Sequence, residues 1–167
     1  MNDATLDRLV SLAAEVLARL EERGLTLATA ESITGGLIGH VLTETPGSSR
    51  VYLGGVITYD NRLKERIGVP SQTLAAFGAV SEETAVSMAN GIREWAGADV
   101  GVAVTGIAGP GGATETKPVG LTYVAVADSG GASCERHLWT ADRSANKVST
   151  AESALRLVLE RLGEKRA

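Results

Sequence analysis

Ser32 is the first residue whose type and position suggest catalysis. It follows an apolar segment, 25–30, that is typical of a buried strand, and it precedes the pair Gly35-Gly36 and a second predicted helix. A serine at such a strand-to-helix turn can present its hydroxyl to a pocket, and free N–H groups at a helix start can bind an oxyanion or a phosphate. Serine is also a common helix cap, so this turn alone leaves both roles open.

Tyr59 and Lys64 could supply the base that a serine nucleophile needs. They follow a β-branched, glycine-rich segment, 51–59, that is typical of a strand. A lysine with a lowered pKa can take the serine proton, and so can a tyrosine phenol that is steadied by that lysine. The alternatives are a solvated surface charge for Lys64 and a side chain that covers a sheet edge for Tyr59. On the residues alone, these structural alternatives are favoured.

A glycine-rich loop, 105–112, follows another strand that is apolar on both faces. In an open sheet, loops at the carboxyl ends of neighbouring strands lie side by side, so we expect this loop beside Ser32. Its glycines allow the backbone to approach a ligand closely, but they are equally typical of a mobile connection. Their spacing matches neither a Walker loop nor a dinucleotide-binding fingerprint.

Histidine and metal chemistry are not indicated. Two histidines and one cysteine do not make up a zinc-ligand set, so no metal site is predicted. We expect structural roles for His40, His137 and Cys134, which has no second cysteine with which to form a disulfide. No Ser-His-Asp order is visible, although such a triad is defined by geometry and not by sequence order.

The elements that must position these residues alternate along the chain. Helical periodicity, turn signals and β-branched runs predict helices and strands in turn, and residues 128–131 predict a hairpin near the end. This order favours one α/β domain over residues 1–167, with a mixed sheet covered by helices on both faces. The predicted strands are 25–30, 51–59, 100–105, 119–127 and 133–140, and the longer predicted helices are 6–23, 81–96 and 144–162.

Composition excludes several classes of protein. The chain has 167 residues, of which 44% are hydrophobic, so it can bury a core without disulfide or metal staples. A net charge of -4 and scattered basic residues give no reason to bind nucleic acid or an anionic membrane. No segment approaches the roughly 20 apolar residues of a membrane helix, and no signal peptide pattern is present. With a single cysteine, these features predict a cytoplasmic protein.

Several motifs occur in an order that is specific to one family. The stretches are AESITGG at 30–36, GGVITY at 54–59, NRLK at 61–64, GAVSEE at 78–83, TGIAGPGG at 105–112 and KPVG at 117–120. Together they resemble the C-terminal domain family of the competence/damage-inducible protein CinA, over about residues 5–162. Stand-alone members of this family include nicotinamide-nucleotide amidohydrolases of the PncC type. The resemblance implies a three-layer α/β/α sandwich with a mixed, mostly parallel central sheet.

The resemblance also implies a reaction, the deamidation of nicotinamide mononucleotide to nicotinic acid mononucleotide and ammonia without a metal or organic cofactor. It makes Ser32 the nucleophile and Tyr59 the base, with Lys64 setting the proton affinity of the phenol, although either of these two residues could be the base. Amides near the paired glycines would hold the oxyanion, and cationic side chains would bind ribose and phosphate. The implied substrate-binding residues are Thr34, Gly35, Gly36, Thr105, Gly106, Lys117 and Arg143.

The sequence departs from the family at three positions. Ile33 stands where the family usually has cysteine, Ala141 where it has glycine, and Lys147 where it has arginine. Lysine offers a point charge in place of a planar fork, so the expected phosphate contact at Lys147 is weakened.

Two other functions stay open. The chain could be a catalytically silent, nucleotide-binding regulatory member of the family, or an amidase or esterase with another substrate. The expected partner is a small nucleotide and not a nucleic acid or a membrane, and a homo-oligomer is expected because the family often assembles. The pyrophosphatase-like domain of larger members has no counterpart in this sequence, so that activity is not predicted.

Overall fold

The computed structural model describes residues 3–163. Within this range the chain forms six helices, one short 3-10 turn and five strands. In chain order these are α1 (Asp3–Arg23), β1 (Leu27–Glu31), α2 (Leu37–Thr43), the 3-10 turn (Ser48–Arg50), β2 (Tyr52–Ile57), α3 (Asn61–Arg66), α4 (Ser71–Phe77), α5 (Glu82–Ala96), β3 (Val100–Gly106), β4 (Leu121–Asp128), β5 (Gly131–Leu138) and α6 (Arg143–Gly163). No helix in residues 3–163 has the length and apolar character needed to cross a bilayer.

The strands form one sheet in the order β2-β1-β3-β4-β5. β1 runs parallel to both β2 and β3, whereas β4 is antiparallel to β3 and to β5. Four of the five strands therefore point the same way, which confirms the predicted mixed, mostly parallel sheet. The hairpin predicted at 128–131 is also confirmed, because Asp128 and Gly131 pair across the β4–β5 turn.

The two faces of the sheet carry different side chains. On β3 and β4 the valines pack with α1, α2 and α6, and the alanines pack against α5 on the other face. The α5 face needs small residues, because a Cβ on Gly101 would clash with the carbonyl of Ala89 on α5. Helices thus cover both faces, which confirms the expected three-layer α/β/α sandwich.

The three parallel strands end at one edge of the sheet. Glu31, the last residue of β1, pairs with Ile57 at the end of β2 and with Val104 near the end of β3. β2 ends two residues before the end of the predicted strand 51–59, because the chain turns at this point towards α3, whose first turn is capped by Asp60. The loops after β1, β2 and β3 therefore meet where the sequence predicted them to meet.

Candidate active site

A cavity of about 190 Å³ lies at the edge where the three parallel strands end. It is lined by both polar and apolar side chains, and most of its polar groups come from the three loops singled out in the sequence. Six of the ten residues named there as catalytic or substrate-binding line it, namely Ser32, Tyr59, Lys64, Thr105, Gly106 and Arg143. The other four, Thr34, Gly35, Gly36 and Lys117, lie outside the lining.

Lys64 contacts Ser32 inside this cavity. The side chain of Lys64 is only 1% exposed, so it is not a solvated surface charge. Its Nζ donates a hydrogen bond to the carbonyl oxygen of Thr58 at 2.6 Å and lies 3.4 Å from Ser32 Oγ. Burial lowers the pKa of Lys64 from 10.5 to about 8, against a smaller opposing effect of the Asp60 charge. A partly neutral amine is thereby held against a serine hydroxyl.

The position of Lys64 is set by the start of α3. The carboxylate of Asp60 caps this helix by accepting the N–H of Arg62 at 2.8 Å. The guanidinium of Arg62 also bonds this carboxylate, and these hydrogen bonds lower the pKa of Asp60 to about 2. Lys64 follows the cap by four residues, so it lies about one turn further along and its side chain enters the cavity.

The phenol of Tyr59 lies at the mouth of the cavity. Tyr59 is 64% exposed, and its hydroxyl accepts a hydrogen bond from Arg143 Nη2 at 3.4 Å. Within the described residues, no hydrogen bond joins this phenol to Ser32 or to Lys64. In this arrangement the side chain that contacts the Ser32 hydroxyl is that of Lys64, and the tyrosine borders the entrance.

The turn that carries Ser32 is held by the buried carboxylate of Glu31. The turn needs glycine at two positions, because Gly35 and Gly36 have φ values of 64° and 98°. Their amides are both occupied: Gly36 N–H donates to Glu31 Oε2 at 3.0 Å, and Gly35 N–H donates to the carbonyl of Ser32 at 3.3 Å. These two amides are therefore not free for an oxyanion, contrary to the expectation from the sequence. The hydroxyl of Thr34 likewise donates a hydrogen bond to Glu31 Oε2 at 2.7 Å.

The glycine-rich loop is anchored on α6. Arg143 Nη1 donates to the carbonyl of Gly109 at 2.8 Å, and Asn146 Nδ2 donates to the carbonyl of Ala108 at 3.1 Å. On the opposite side of the cavity, the hydroxyl of Thr105 donates to the carbonyl of Ala79 at 2.6 Å. These bonds hold the loop as a fixed wall of the cavity.

Two lysines near the cavity, Lys117 and Lys147, differ in their contacts. Lys117 donates from Nζ to the carbonyl of Phe77 at 2.6 Å, which ties the segment after the glycine-rich loop to α4 and keeps the ammonium out of the cavity lining. Lys147 instead lies beside the serine turn, with Nζ 3.6 Å from where a Cβ on Gly35 would be. The sequence signal for Lys147 is its spacing of four from Arg143, which puts both cations on one face of α6.

The comparisons with known proteins agree with this fold. The sequence of this chain matches the family model of the CinA C-terminal domain over residues 9–162. The chain belongs to the CinA C-terminal domain family. A CinA-like protein of Chloroherpeton thalassium is 51% identical over 148 residues, which is 86% of this chain and 35% of that relative. The chain spans about a third of the length of the curated relatives it matches.

Two solved structures are similar to this CinA domain along almost their whole length. The competence/damage inducible protein CihA of Agrobacterium tumefaciens has a TM-score of 0.89 and 40% identity, covering 93% of this chain and 96% of that one. The competence damage-inducible protein A of Klebsiella pneumoniae has a TM-score of 0.90 and 33% identity, with coverage of 95% and 99%. The fold and the family are therefore established by sequence and by structure.

A second serine cluster of the CinA domain, the β5–α6 cluster, consists of Glu135, His137, Trp139 and Ser153. Ser153 Oγ and Glu135 Oε2 lie 2.8 Å and 2.9 Å from the same atom, His137 Nε2. The ring of Trp139 stacks on the imidazole with 4.6 Å between centroids. Sequence reasoning missed this cluster, because Ser153 is brought to it only by the packing of α6 on β5, although the alternate spacing of Glu135, His137 and Trp139 places these three on one face.

Two further predictions concern metal and cysteine chemistry. Across residues 3–163, no group of three or more His, Cys, Asp or Glu side chains is arranged to hold a metal ion. Cys134 lies on β5 as expected, and burial raises the pKa of its thiol to about 12. A thiol with so high a pKa is a poor nucleophile, which agrees with a structural role.

Proposed function

We propose that this CinA domain is a serine amidohydrolase that removes ammonia from the carboxamide of nicotinamide mononucleotide. The observation that carries the proposal is the contact of 3.4 Å between Lys64 Nζ and Ser32 Oγ inside a cavity. A lysine with a pKa near 8 is neutral in a useful fraction of molecules at physiological pH, and it can accept the serine proton. The choice of substrate rests on the family resemblance.

The proposed reaction has two halves. Neutral Lys64 takes the proton of Ser32 Oγ while its N–H remains bonded to the Thr58 carbonyl, and the serine oxygen attacks the carboxamide carbon. The C–N bond then breaks, the nitrogen takes the proton from the Lys64 ammonium, and ammonia leaves. In the second half, Lys64 removes a proton from water, the hydroxide attacks the acyl carbon, and Ser32 leaves with the proton. Neither half needs a metal or an organic cofactor.

The oxyanion of the tetrahedral intermediate needs a hydrogen-bond donor near Ser32. We assign this role to the N–H of Ile33, which directly follows the nucleophile in a residue that lines the cavity. In the described part of the chain, this N–H has no acceptor, in contrast to those of Gly35 and Gly36. One preorganised donor of this kind typically contributes about 10²–10³ to kcat.

Cations near the mouth support a substrate that carries a phosphate. Arg143 and Lys147 lie one turn apart on α6, and we propose that they bind the phosphate and ribose of the nucleotide. Lys117, which the resemblance also suggested, is bonded to a carbonyl outside the cavity, so Lys147 takes its place in the proposal. Assembly into a homo-oligomer and a cytoplasmic location stay predictions.

Ammonia release from nicotinamide mononucleotide, measured with a chelator present, tests the proposal. We expect turnover by the wild type and none by Ser32→Ala. A folded wild type without turnover would favour the silent nucleotide-binding alternative. Hydrolysis of simple amides that lack a phosphate, at a rate equal to or above that of the nucleotide, would favour an amidase with another substrate.

A further inference from the structure

The carboxylate of Glu31 is the centre of the turn that carries Ser32. Glu31 is the last residue of β1 and is only 3% exposed. Its two oxygens accept four hydrogen bonds from the residues that follow Ser32, on the turn and on the first residues of α2. The donors are Thr34 Oγ1 at 2.7 Å, Gly36 N at 3.0 Å, Ile38 N at 3.0 Å and Gly39 N at 2.8 Å.

The turn requires a group that only accepts hydrogen bonds. All four partners of Glu31 are donors, and an ionised carboxylate is the side chain with enough acceptor sites for them. A glutamine amide would present its own N–H groups to one or more of these donors, and a buried N–H facing another N–H leaves both unsatisfied. The four bonds also offset the cost of burying the charge. The network is therefore sensitive to the charge of this residue and not only to its shape.

The same residue is linked to both members of the Ser32–Lys64 pair. Ser32 is attached directly to Glu31, and the carboxylate fixes the chain on the far side of the serine. The carbonyl of Glu31 accepts the N–H of Thr58 at 2.8 Å, and the carbonyl of Thr58 accepts Lys64 Nζ at 2.6 Å. The serine and the lysine are thus held relative to one another through one residue.

The geometry points to Glu31 as the positioning residue for the nucleophile. It keeps Ser32 Oγ within reach of Lys64 Nζ, and it acts through Ser32 without touching substrate. This inference rests on the proposed function, because it takes Ser32 to be the nucleophile. The contact of 3.4 Å is near the upper limit for a hydrogen bond, so a small displacement of the turn removes it. A displacement of about 1 Å can lower a rate about 100-fold.

The test compares Glu31→Gln and Glu31→Asp with the wild type. A fluorophosphonate probe measures the reactivity of Ser32 and counts the active serines, and ammonia release gives kcat per active serine and KM. For Glu31→Gln we expect labelling and kcat about 10–100-fold lower, with KM changed less than about threefold, because substrate contacts remain. Glu31→Asp, which restores the charge, should recover part of the loss. Glu135→Gln, a matched change in the β5–α6 cluster, should leave both rates unchanged.

Two outcomes separate this inference from the proposed function. A folded Glu31→Gln variant with wild-type kcat per active serine would overturn the positioning role while Ser32 remained the nucleophile. Equal labelling and equal turnover in the wild type and Ser32→Ala would overturn the proposed function. If Glu31→Gln does not fold, Thr34→Val removes one donor and keeps the carboxylate, and we expect kcat about fivefold lower. Wild-type kcat in both Thr34→Val and Glu31→Asp would then overturn the inference.

Discussion

Two serine hydroxyls in the described chain lie close to a titratable nitrogen, Ser32 beside Lys64 and Ser153 beside His137. By residue type, the second cluster is closer to a hydrolase triad, since it also holds the carboxylate of Glu135. In a triad, however, the imidazole binds the carboxylate through one nitrogen and the serine through the other. Here the carboxylate and the serine share Nε2, so the carboxylate does not orient the imidazole from Nδ1 while Nε2 takes the serine proton.

The Ser32 cluster differs from the β5–α6 cluster in burial and in its place in the fold. Lys64 is buried, its pKa is lowered by that burial, and its one short hydrogen bond to a carbonyl leaves the nitrogen directed at Ser32. The cluster lies at the carboxyl ends of parallel strands, where loops from different strands converge on one cavity. The β5–α6 cluster also lines a cavity, of about 330 Å³, but it lies on an edge strand and its polar groups satisfy one another. Relative geometry and burial, and not residue type, therefore favour Ser32 over Ser153 as the proposed nucleophile.

The largest expected effect comes from removing each serine in turn. Ser32→Ala should lower kcat for ammonia release by about 10⁴-fold or more, because the nucleophile is lost. Ser153→Ala should stay within about twofold of the wild type, since its cluster lies outside the proposed active site. Steady-state kinetics on both folded variants measure the difference. A large loss in Ser153→Ala with little loss in Ser32→Ala would reverse the comparison.

Replacing the buried lysine should separate activity from stability. In Lys64→Met we expect kcat about 10³-fold lower, because the serine loses its base. The same variant should be at least as stable as the wild type, because a buried amine is replaced by an apolar side chain of similar length. Thermal unfolding tests the expected stability, and steady-state kinetics test the expected loss of kcat. A strongly destabilised Lys64→Met would contradict the view that Lys64 is retained for chemistry at a cost in stability.

The pH dependence follows from the same pKa. Activity should rise with pH through a midpoint near 8, as Lys64 loses its proton. The folded pKa of about 8 is below the ordinary value of 10.5, so between these values the unfolded chain binds more protons and stability rises with pH. Well below pH 8, Lys64 is protonated in both the folded and the unfolded chain, so this residue no longer makes stability depend on pH. Denaturant unfolding from pH 7 to 11 should show the rise in the wild type and a smaller one in Lys64→Met.

The smallest expected effect concerns the mouth of the cavity. Arg143→Ala should raise KM for nicotinamide mononucleotide about tenfold, with kcat changed less than about threefold, because a phosphate contact is lost. It should have little effect on a substrate without phosphate, such as nicotinamide riboside. Arg156→Ala, which removes a cation that is bonded to Glu152 near the β5–α6 cluster, serves as the control. Equal effects of Arg143→Ala on both substrates would argue against phosphate binding there.

The sequence by itself determined much of the fold. The apolar periodicities, the hairpin at 128–131 and the buried strand before Ser32 predicted the elements and the mixed sheet, because these signals depend on local side-chain patterns. The motifs around the serine turn and the glycine-rich loop also pointed to the edge of the sheet at which the cavity lies. Strand ends were less well predicted, as at Ile57, because a helix cap and a strand end compete for the same residues.

Only the tertiary structure decided the burial and the contacts of the site residues. Whether Lys64 is a surface charge or a buried base depends on what packs over it, and its side chain is covered by residues distant in the chain. The occupied amides of Gly35 and Gly36, and the separation of Lys117 from the cavity, likewise depend on single hydrogen bonds to Glu31, Ser32 and Phe77. Sequence patterns record which residues are present and which face of an element they occupy. Burial and hydrogen-bond partners are set by contacts between elements, and these determine the pKa and the reach of each group.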